Sequence, residues 1–399
     1  MNFGNHIRTT IEHRVLHITN IPTPYRLPYY RTLHRRLESA GIDFHVYFLG
    51  QNKRPREWKI GENELHGFHH TLNCDGLPTA YGNIIRLIRE TKPDIVVLAW
   101  AMDPLALRLL LHCRMRRIPC MLFTGETIGT AAGRSYAALR GISRKPFFRL
   151  ADGFVTYGTR STEYLLHNGV RPERIATGLN VVDTESFRNN VERLRASGEA
   201  AAERERYVTR DGTPFACHLL MVNYMIPGKG ISSTLRALAG MNRRNIALHI
   251  VGSGPREEAH RDLVRSAGME DFVFFHGYRQ TSELFIFYAM ADVFLFPSSI
   301  DVFGLVMVEA AAASLPVIAS SRSGGTVDVI EDGVNGIIIN PRDTAAYASA
   351  IARLADDPEL RRRMGAVGRA RSIEVLTLDE SAGRYERALR KMLGRGGAG

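Results

Sequence analysis

Tryptophan is nearly absent, with two residues in 399, cysteine occurs four times, and no unbroken apolar run exceeds eight residues. A membrane-spanning helix needs roughly 20 apolar residues, so the longest runs, 95–102 and 284–291, are too short. Cys74, Cys113, Cys120 and Cys217 have no paired metal-ligand spacing and are too sparse for a disulfide framework. They read as reduced, packed thiols of a cytosolic protein. The first eight residues lack the apolar core of a secretory signal, which fits a cytoplasmic location. None of the 14 histidines has a spacing that suggests a metal site, so no metal is expected. A full Gly-x-Gly-x-x-Gly after the first strand is also missing, which disfavours a nicotinamide dehydrogenase.

Acidic charge is scarce in one half only. Residues 1–190 hold 26 Lys+Arg against 16 Asp+Glu, whereas residues 191–399 hold 26 against 25, within a total net charge of +11. A basic surface attracts nucleic acid, anionic lipid or an anionic substrate. The basic residues are scattered and no nucleic-acid fold signature accompanies them, so nucleic acid is not an expected partner. Peripheral contact with an anionic membrane and a plain solvated arginine-rich surface both remain open.

What the chain does contain is an alternation of short β-branched runs and helical patterns, the mark of parallel βα units. In the first half, strands are expected at 14–19, 44–49, 94–100, 120–124 and 153–157, with helices at 28–40, 82–91, 104–116 and 162–167. In the second half, strands are expected at 218–222, 247–251, 273–276, 293–296, 317–319 and 336–339. Helices there fall at 230–240, 255–267, 282–290, 305–313 and 344–355. Each half reads as its own doubly wound α/β sheet, 1–190 and 214–374. The charged, alanine-rich stretch 191–213 between them reads as a linker, either an exposed helix or a tether. A closing helix is expected at 378–393, followed by a disordered tail at 395–399.

The richest stretch runs from Pro297 to Gly336. Asp301 and Glu309 stand eight positions apart with Phe303-Gly304 and an apolar run between them. One continuous helix would set them ~80° apart. A loop ending at Gly304 and a helix beyond it fits better, because glycine permits a turn that other residues resist. Asp301 then precedes a helix N-terminus and Glu309 lies about a turn and a half inside. The free N–H groups of Leu305 and Val306 suit an anion such as a diphosphate, and the carboxylates can accept hydrogen bonds from sugar hydroxyls. That combination points to a sugar-nucleotide site.

This block resembles the donor-binding signature of family 4 retaining glycosyltransferases, whose two-domain fold is called GT-B. The resemblance extends to Lys229-Gly230, Val251-Gly252-Ser253-Gly254-Pro255, His276-Gly277-Tyr278, Ala291-Asp292-Val293 and Gly324-Gly325. Asn180-Val-Val-Asp183 with Phe187 resembles the element that closes the family's first domain. Asn20-Ile-Pro22-Thr23-Pro24-Tyr25-Arg26 is similar to a subgroup carrying Pro-[Ser/Thr]-Pro-Tyr-Arg.

The resemblance implies two Rossmann-like domains facing a central cleft, with the C-terminal helix (375–394) packing back on the first. It implies a donor that is a nucleoside-diphosphate sugar, UDP or GDP, and a glycan or lipid-linked acceptor. Glu309 would hold the ribose and Asp301 the transferred sugar. Most relatives have Glu at the latter position, so a shorter arm alters the sugar's fit. Lys229, after a strand and opening a helix, would neutralise the diphosphate as it departs; the plainer reading is a surface lysine at a helix start. Tyr224 stands where many relatives place a second phosphate-binding arginine, leaving Arg26 and Arg322 as candidate substitutes. Arg26 alternatively forms an ion pair that locks its loop.

The turn at Gly277, Tyr278 and Arg279 would contact the nucleotide base through its backbone. Gly252 and Gly254 form a tight strand-to-helix turn, and Gly324 and Gly325 permit close backbone approach. Asp328, where relatives usually have Glu, reads as a capping or structural acid. Glu126 falls where many relatives carry a histidine that touches the sugar; it would bind sugar, orient the acceptor, or cap a helix.

The mechanism so implied uses no metal. Diphosphate leaves toward Lys229 and the helix at Gly304, the acceptor attacks from the same face, and the leaving phosphate takes its proton. Three rivals remain: a small-molecule glycosyltransferase, a sugar-nucleotide 2-epimerase and a non-catalytic sugar-nucleotide binder.

Overall fold

Thirteen strands form two separate all-parallel sheets in the structure, a computed structural model that describes residues 10–50, 65–73, 77–100, 102–128 and 137–396. The first sheet contains β1 (His13–Thr19), β2 (Ile42–Phe48), β3 (His69–Leu72), β4 (Ile95–Ala99), β5 (Cys120–Thr124), β6 (Gly153–Thr156) and β7 (Ile175–Thr177), in the order β3-β2-β1-β4-β5-β6-β7. The second contains β8 (Cys217–Val222), β9 (Ile246–Val251), β10 (Val273–Phe275), β11 (Val293–Phe296), β12 (Val317–Ser320) and β13 (Gly336–Ile339), in the order β10-β9-β8-β11-β12-β13. β4, β5, β9 and β11 are buried along their whole length, as expected for parallel strands covered by helices on both faces.

Each sheet reverses winding direction once, between β1 and β4 and between β8 and β11. Ligands of open α/β sheets bind beyond the carboxyl ends of the strands at such a reversal. The loops that matter are therefore those after β1, β8 and β11.

Several elements depart from the sequence reading. β3 and β7 are edge strands of four and three residues, too short for alternation to register. The helix Pro358–Glu374 has no clear apolar stripe; its buried positions include Gly365, Gly368 and Ser372. Gly365 lies where a Cβ would stand 2.1 Å from the Ser314 carbonyl, so small residues there permit close packing rather than mark a loop.

The stretch 191–213 read as a linker contains the end of one helix, Thr184–Ala196, and a second, Glu199–Glu205. They are not a free tether. Phe187, Val191, Leu194 and Ala200 are buried with the second unit's core, and Arg195 donates to the Ala289 carbonyl (3.0 Å) while Arg204 pairs with Asp292 (2.8 Å). Their many charges line the outer face and conceal the apolar stripe.

The last helix, Leu378–Gly396, does return to the first sheet. Ala382, Tyr385, Ala388 and Leu389 join the core formed by β1, β2 and the helix Leu27–Ser39. Arg36 pairs with Glu386 at 2.6 Å, and the Tyr385 hydroxyl meets His17 Nδ1 at 2.7 Å. This helix runs through Gly396, so only residues 397–399 of the expected tail lie outside the described residues. The N-terminal octapeptide and Cys74 lie outside them too. Cys113, Cys120 and Cys217 are free and buried. No helix among the described residues is long and apolar enough to cross a membrane.

Candidate functional site

The loops after β8 and β11 lie side by side because their strands pair, Val293 with Leu219 and Phe294 with Leu220. They are then locked together through glycine. Ser299 N–H donates to the Gly228 carbonyl at 2.8 Å, and a Cβ on Gly230 (φ +85°) would stand 2.5 Å from Pro297. This packing brings Lys229 and Asp301 into contact, with Lys229 Nζ donating to Asp301 Oδ1 at 2.6 Å. Asp301 Oδ2 is buried with no hydrogen-bond partner among the described residues. An ammonium has three N–H donors, so the pair retains donors on the lysine and one acceptor oxygen on the aspartate. A buried acceptor left open costs free energy, which a ligand hydroxyl would recover.

Gly304 ends the β11 loop in the left-handed region, φ +95°, at the N-terminus of the helix Leu305–Ala312. A Cβ there would stand 2.4 Å from the Phe296 ring, so only glycine makes this turn without displacing core. The amides of Leu305 and Val306 belong to the first turn, whose N–H groups have no partner in the helix ladder. They and the helix dipole present partial positive charge a few residues beyond Asp301, the partner of Lys229.

Glu309 lies further along this helix. Its Oε2 accepts from the Tyr288 hydroxyl at 2.6 Å. Part of the side chain reaches solvent, yet the carboxyl itself is deep, and burial raises its pKa to about 7, with the Tyr288 hydrogen bond opposing the rise. Sequence reasoning missed Tyr288. Its one signal was a hydroxyl within the apolar run 284–290 of the helix Thr281–Met290, since a buried tyrosine hydroxyl normally finds a partner.

The glycines near the site hold loops against each other. A Cβ on Gly252 would stand 1.8 Å from the Asn223 carbonyl, and on Gly254 2.7 Å from Met225 N. They press the β9 turn against the segment containing Tyr224, which is half-buried. Gly324 and Gly325 donate their amides to the Asp301 carbonyl and the Phe303 carbonyl, both at 3.0 Å. Their smallness thus serves the contact between the β11 and β12 loops. Gly277 turns at φ +68° with open space around its Cβ position, and its carbonyl accepts from Gly252 N–H. Tyr278 beside it is half-buried.

Across the cleft, Arg26 ends the loop after β1. Its guanidinium lies 5.1 Å from the Tyr157 ring centroid and 5.9 Å from that of Phe123. No carboxylate pairs with it among the described residues. Burial works against its charge, but the surrounding tyrosines, Tyr157 foremost, raise its pKa above the ordinary value. Arg322, on the β12 loop, has a buried Nε with no partner among the described residues. Glu126 is engaged differently: it pairs with Arg144, which also donates to the Met102 carbonyl at 2.8 Å. That partner, 18 positions away on the helix Ala137–Leu150, was invisible to motif reading.

One constellation lies outside the site. His218, His249 and His276 form a row, joined Nδ1 to Nε2 at 3.0 Å in both steps. Burial is the main cause of their lowered pKa values, about 4, 2 and 4 respectively. Among the described residues no group of three or more His, Cys, Asp or Glu could hold a metal ion.

Comparison with known proteins follows the same division of the chain. The family model "Glycosyltransferase Family 4" matches residues 29–186, and "Glycosyl transferases group 1" matches residues 215–371. The GDP-mannose-dependent alpha-(1-6)-phosphatidylinositol monomannoside mannosyltransferase of Mycobacterium tuberculosis is 32% identical over 308 residues, 73% of this chain and 74% of the relative. The D-inositol 3-phosphate glycosyltransferase of Thermomonospora curvata is 35% identical over 218 residues, 51% of this chain and 49% of that one. Anabaena Alr3699/HepE in complex with UDP-glucose is similar in fold, with TM-score 0.71 at 16% identity over 96% of this chain and 100% of that one. WaaG, a glycosyltransferase involved in lipopolysaccharide biosynthesis, has TM-score 0.66 at 16% identity over 94% of this chain and 98% of that one. The shared architecture is GT-B.

Proposed function

The chain belongs to glycosyltransferase family 4, and from that premise we propose that it transfers a hexosyl unit, with retention, from UDP- or GDP-sugar to a hydroxyl of a lipid-linked or growing glycan. One observation carries the reading: the Lys229–Asp301 pair at 2.6 Å, with Asp301 Oδ2 open, beside a helix N-terminus at Gly304. In this reading Lys229 keeps its bond to Asp301 and turns its other N–H groups to the diphosphate. The amides of Leu305 and Val306 share the phosphate charge, and Glu309 accepts from the ribose hydroxyls. Arg26 and Arg322 are the cations available to stand in for the arginine replaced by Tyr224.

The sugar would lie against Asp301. As the anomeric C–O bond to phosphate breaks, negative charge grows on the leaving oxygen where the protein already presents positive charge, which stabilises the transition state. The acceptor oxygen bonds to the anomeric carbon from the same face, and its proton goes to the departing phosphate. No metal is needed for this step. The GDP-mannose-dependent relative supports GDP and mannose, whereas the UDP-bound fold neighbours are compatible with UDP. The basic first half supports contact with an anionic membrane surface, where a lipid-linked acceptor resides.

The test is a thermal-shift panel of UDP-, GDP- and ADP-sugars on the native protein and on Glu309→Ala and Lys229→Ala. At least one donor should raise the native melting temperature and both substitutions should abolish that rise. A rise that survives both substitutions contradicts the proposed site, and epimer formation without acceptor would favour the isomerase reading.

A further inference from the structure

The two halves meet at a carboxylate that the transfer chemistry leaves unused. Asp328 belongs to the short helix Thr326–Val329 of the second half. Its oxygens accept from the Thr159 amide at 3.1 Å each, and Oδ1 also accepts from the Thr159 hydroxyl at 2.7 Å. Thr159 opens the helix Thr159–His167 of the first half, whose N-cap, Gly158, supplies no side-chain cap. Asp328 therefore does from the opposite half what an N-cap side chain ordinarily does locally, meeting a free first-turn N–H at the positive end of the helix.

The fit is tight. A Cβ on Gly158 would stand 2.4 Å from Asp328 Oδ2 and 3.0 Å from the Phe303 ring. A Cβ on Gly324 would meet Thr127 at 3.0 Å, a second point where the halves touch. Arg371 donates to the Asp328 carbonyl at 2.9 Å and braces the short helix from behind.

These same loops carry the two walls of the site. On one side, Tyr157 immediately precedes Gly158 and packs against Arg26. On the other, Gly324 and Gly325 hydrogen-bond the carbonyls of Asp301 and Phe303. The bridge thus joins the loop that seats Arg26 to the loop that seats Asp301.

We propose that Asp328 is a positioning residue: by capping the Thr159 helix from across the cleft, it sets the distance between the Arg26–Tyr157 wall and the Lys229–Asp301 pair. The inference rests on the transfer reading given above. Asp328 touches neither donor nor acceptor in this role. A wall held at the correct distance aligns the acceptor hydroxyl and keeps water from the anomeric carbon.

The experiment compares Asp328→Ala, Asp328→Glu and Thr159→Val with the native full chain, using the donor found in the thermal-shift panel. Donor affinity, acceptor transfer and acceptor-free hydrolysis of the donor are each measured. Asp328→Ala should lose donor affinity by no more than about ten-fold, because Lys229, Asp301 and Glu309 are intact and only the Arg26 wall moves. Its transfer kcat should fall on the order of ten- to a hundred-fold, and the ratio of hydrolysis to transfer should rise. Thr159→Val, which keeps the amide donor, should show a smaller change in the same direction, and Asp328→Glu should recover part of the native ratio. An unchanged hydrolysis-to-transfer ratio in Asp328→Ala overturns the proposal, whether kcat stays native or falls in step with folded fraction. If the native chain transfers from no donor, the transfer reading itself fails and takes this inference with it.

Discussion

Glu309 shows how a single side chain trades stability for function. Its folded pKa of about 7 lies above the ordinary carboxyl value of 4.5. Between those values the folded protein holds a proton that the unfolded chain has released, so this group's contribution to stability is complete below about pH 4.5. It is lost as pH rises through 7. Glu309→Gln removes the cost of the buried charge, and at 1.36 kcal/mol per pH unit it should stabilise the protein by roughly 3 kcal/mol at pH 8. Little change is expected at pH 5. Melting temperatures of the two proteins across that range check this, and a gap that does not widen with pH contradicts it. Lys229→Ala should act in the opposite sense. It strands Asp301 without its partner and should cost about 1–3 kcal/mol, while lowering transfer by about 10²–10³-fold through loss of leaving-group stabilisation. Urea midpoints and kcat measure the two effects separately.

Elements impose their own constraints. Gly304→Ala must place a Cβ against the Phe296 ring in a left-handed conformation. A loss of about 1–3 kcal/mol is expected, with donor affinity reduced because the Leu305 and Val306 amides shift; a native-like urea midpoint would contradict this. The histidine row on β8, β9 and the turn after β10 imposes a pH limit. Its members, and His17 with a pKa of about 3, are depressed below the unfolded value of 6.5. Below pH 6.5 the unfolded chain takes up protons that the folded one refuses, so stability falls as pH falls from 6.5 toward about 4. Several kcal/mol should be lost between pH 7 and pH 5, visible as a falling urea midpoint, and His249→Gln should flatten that slope by about one proton. A midpoint independent of pH over this range would contradict the burial argument.

Strongly periodic elements were legible in the sequence because each carries its own pattern. β5, β11 and β13 begin and end where short continuous apolar runs place them. The placing of Gly304 before a helix and of Glu309 within it follows from local spacing, and Lys229 was reached through the family resemblance. What escaped was long-range. The Tyr288–Glu309 bond, the Arg144–Glu126 pair and the Asp328–Thr159 bridge join residues that no local pattern relates. The helices at 184–205 were hidden by outward-facing charge, and β3 and β7 by their shortness.

For the whole molecule, two sheets with separate cores are tied by the last helix and by the bridge at the cleft. Tyr385 and Leu389, wholly buried against the first sheet, make that helix part of the first half's core despite its place at the chain's end. Tyr385→Phe should leave His17 Nδ1 unpartnered and cost about 1–3 kcal/mol. Removing residues 378–396 should prevent the first half from folding, read as loss of a cooperative melting transition, whereas a truncated chain that melts like the native one would contradict this. A diphosphate held between helix N-terminus, lysine and two acidic side chains is the claim on which these expectations converge. The most direct measurement is a crystal structure with the intact donor in the cleft. The account predicts diphosphate oxygens within hydrogen-bond distance of Lys229 Nζ and the Leu305 and Val306 amides, with the ribose hydroxyls on Glu309. A donor whose diphosphate lay away from all of these groups would contradict it.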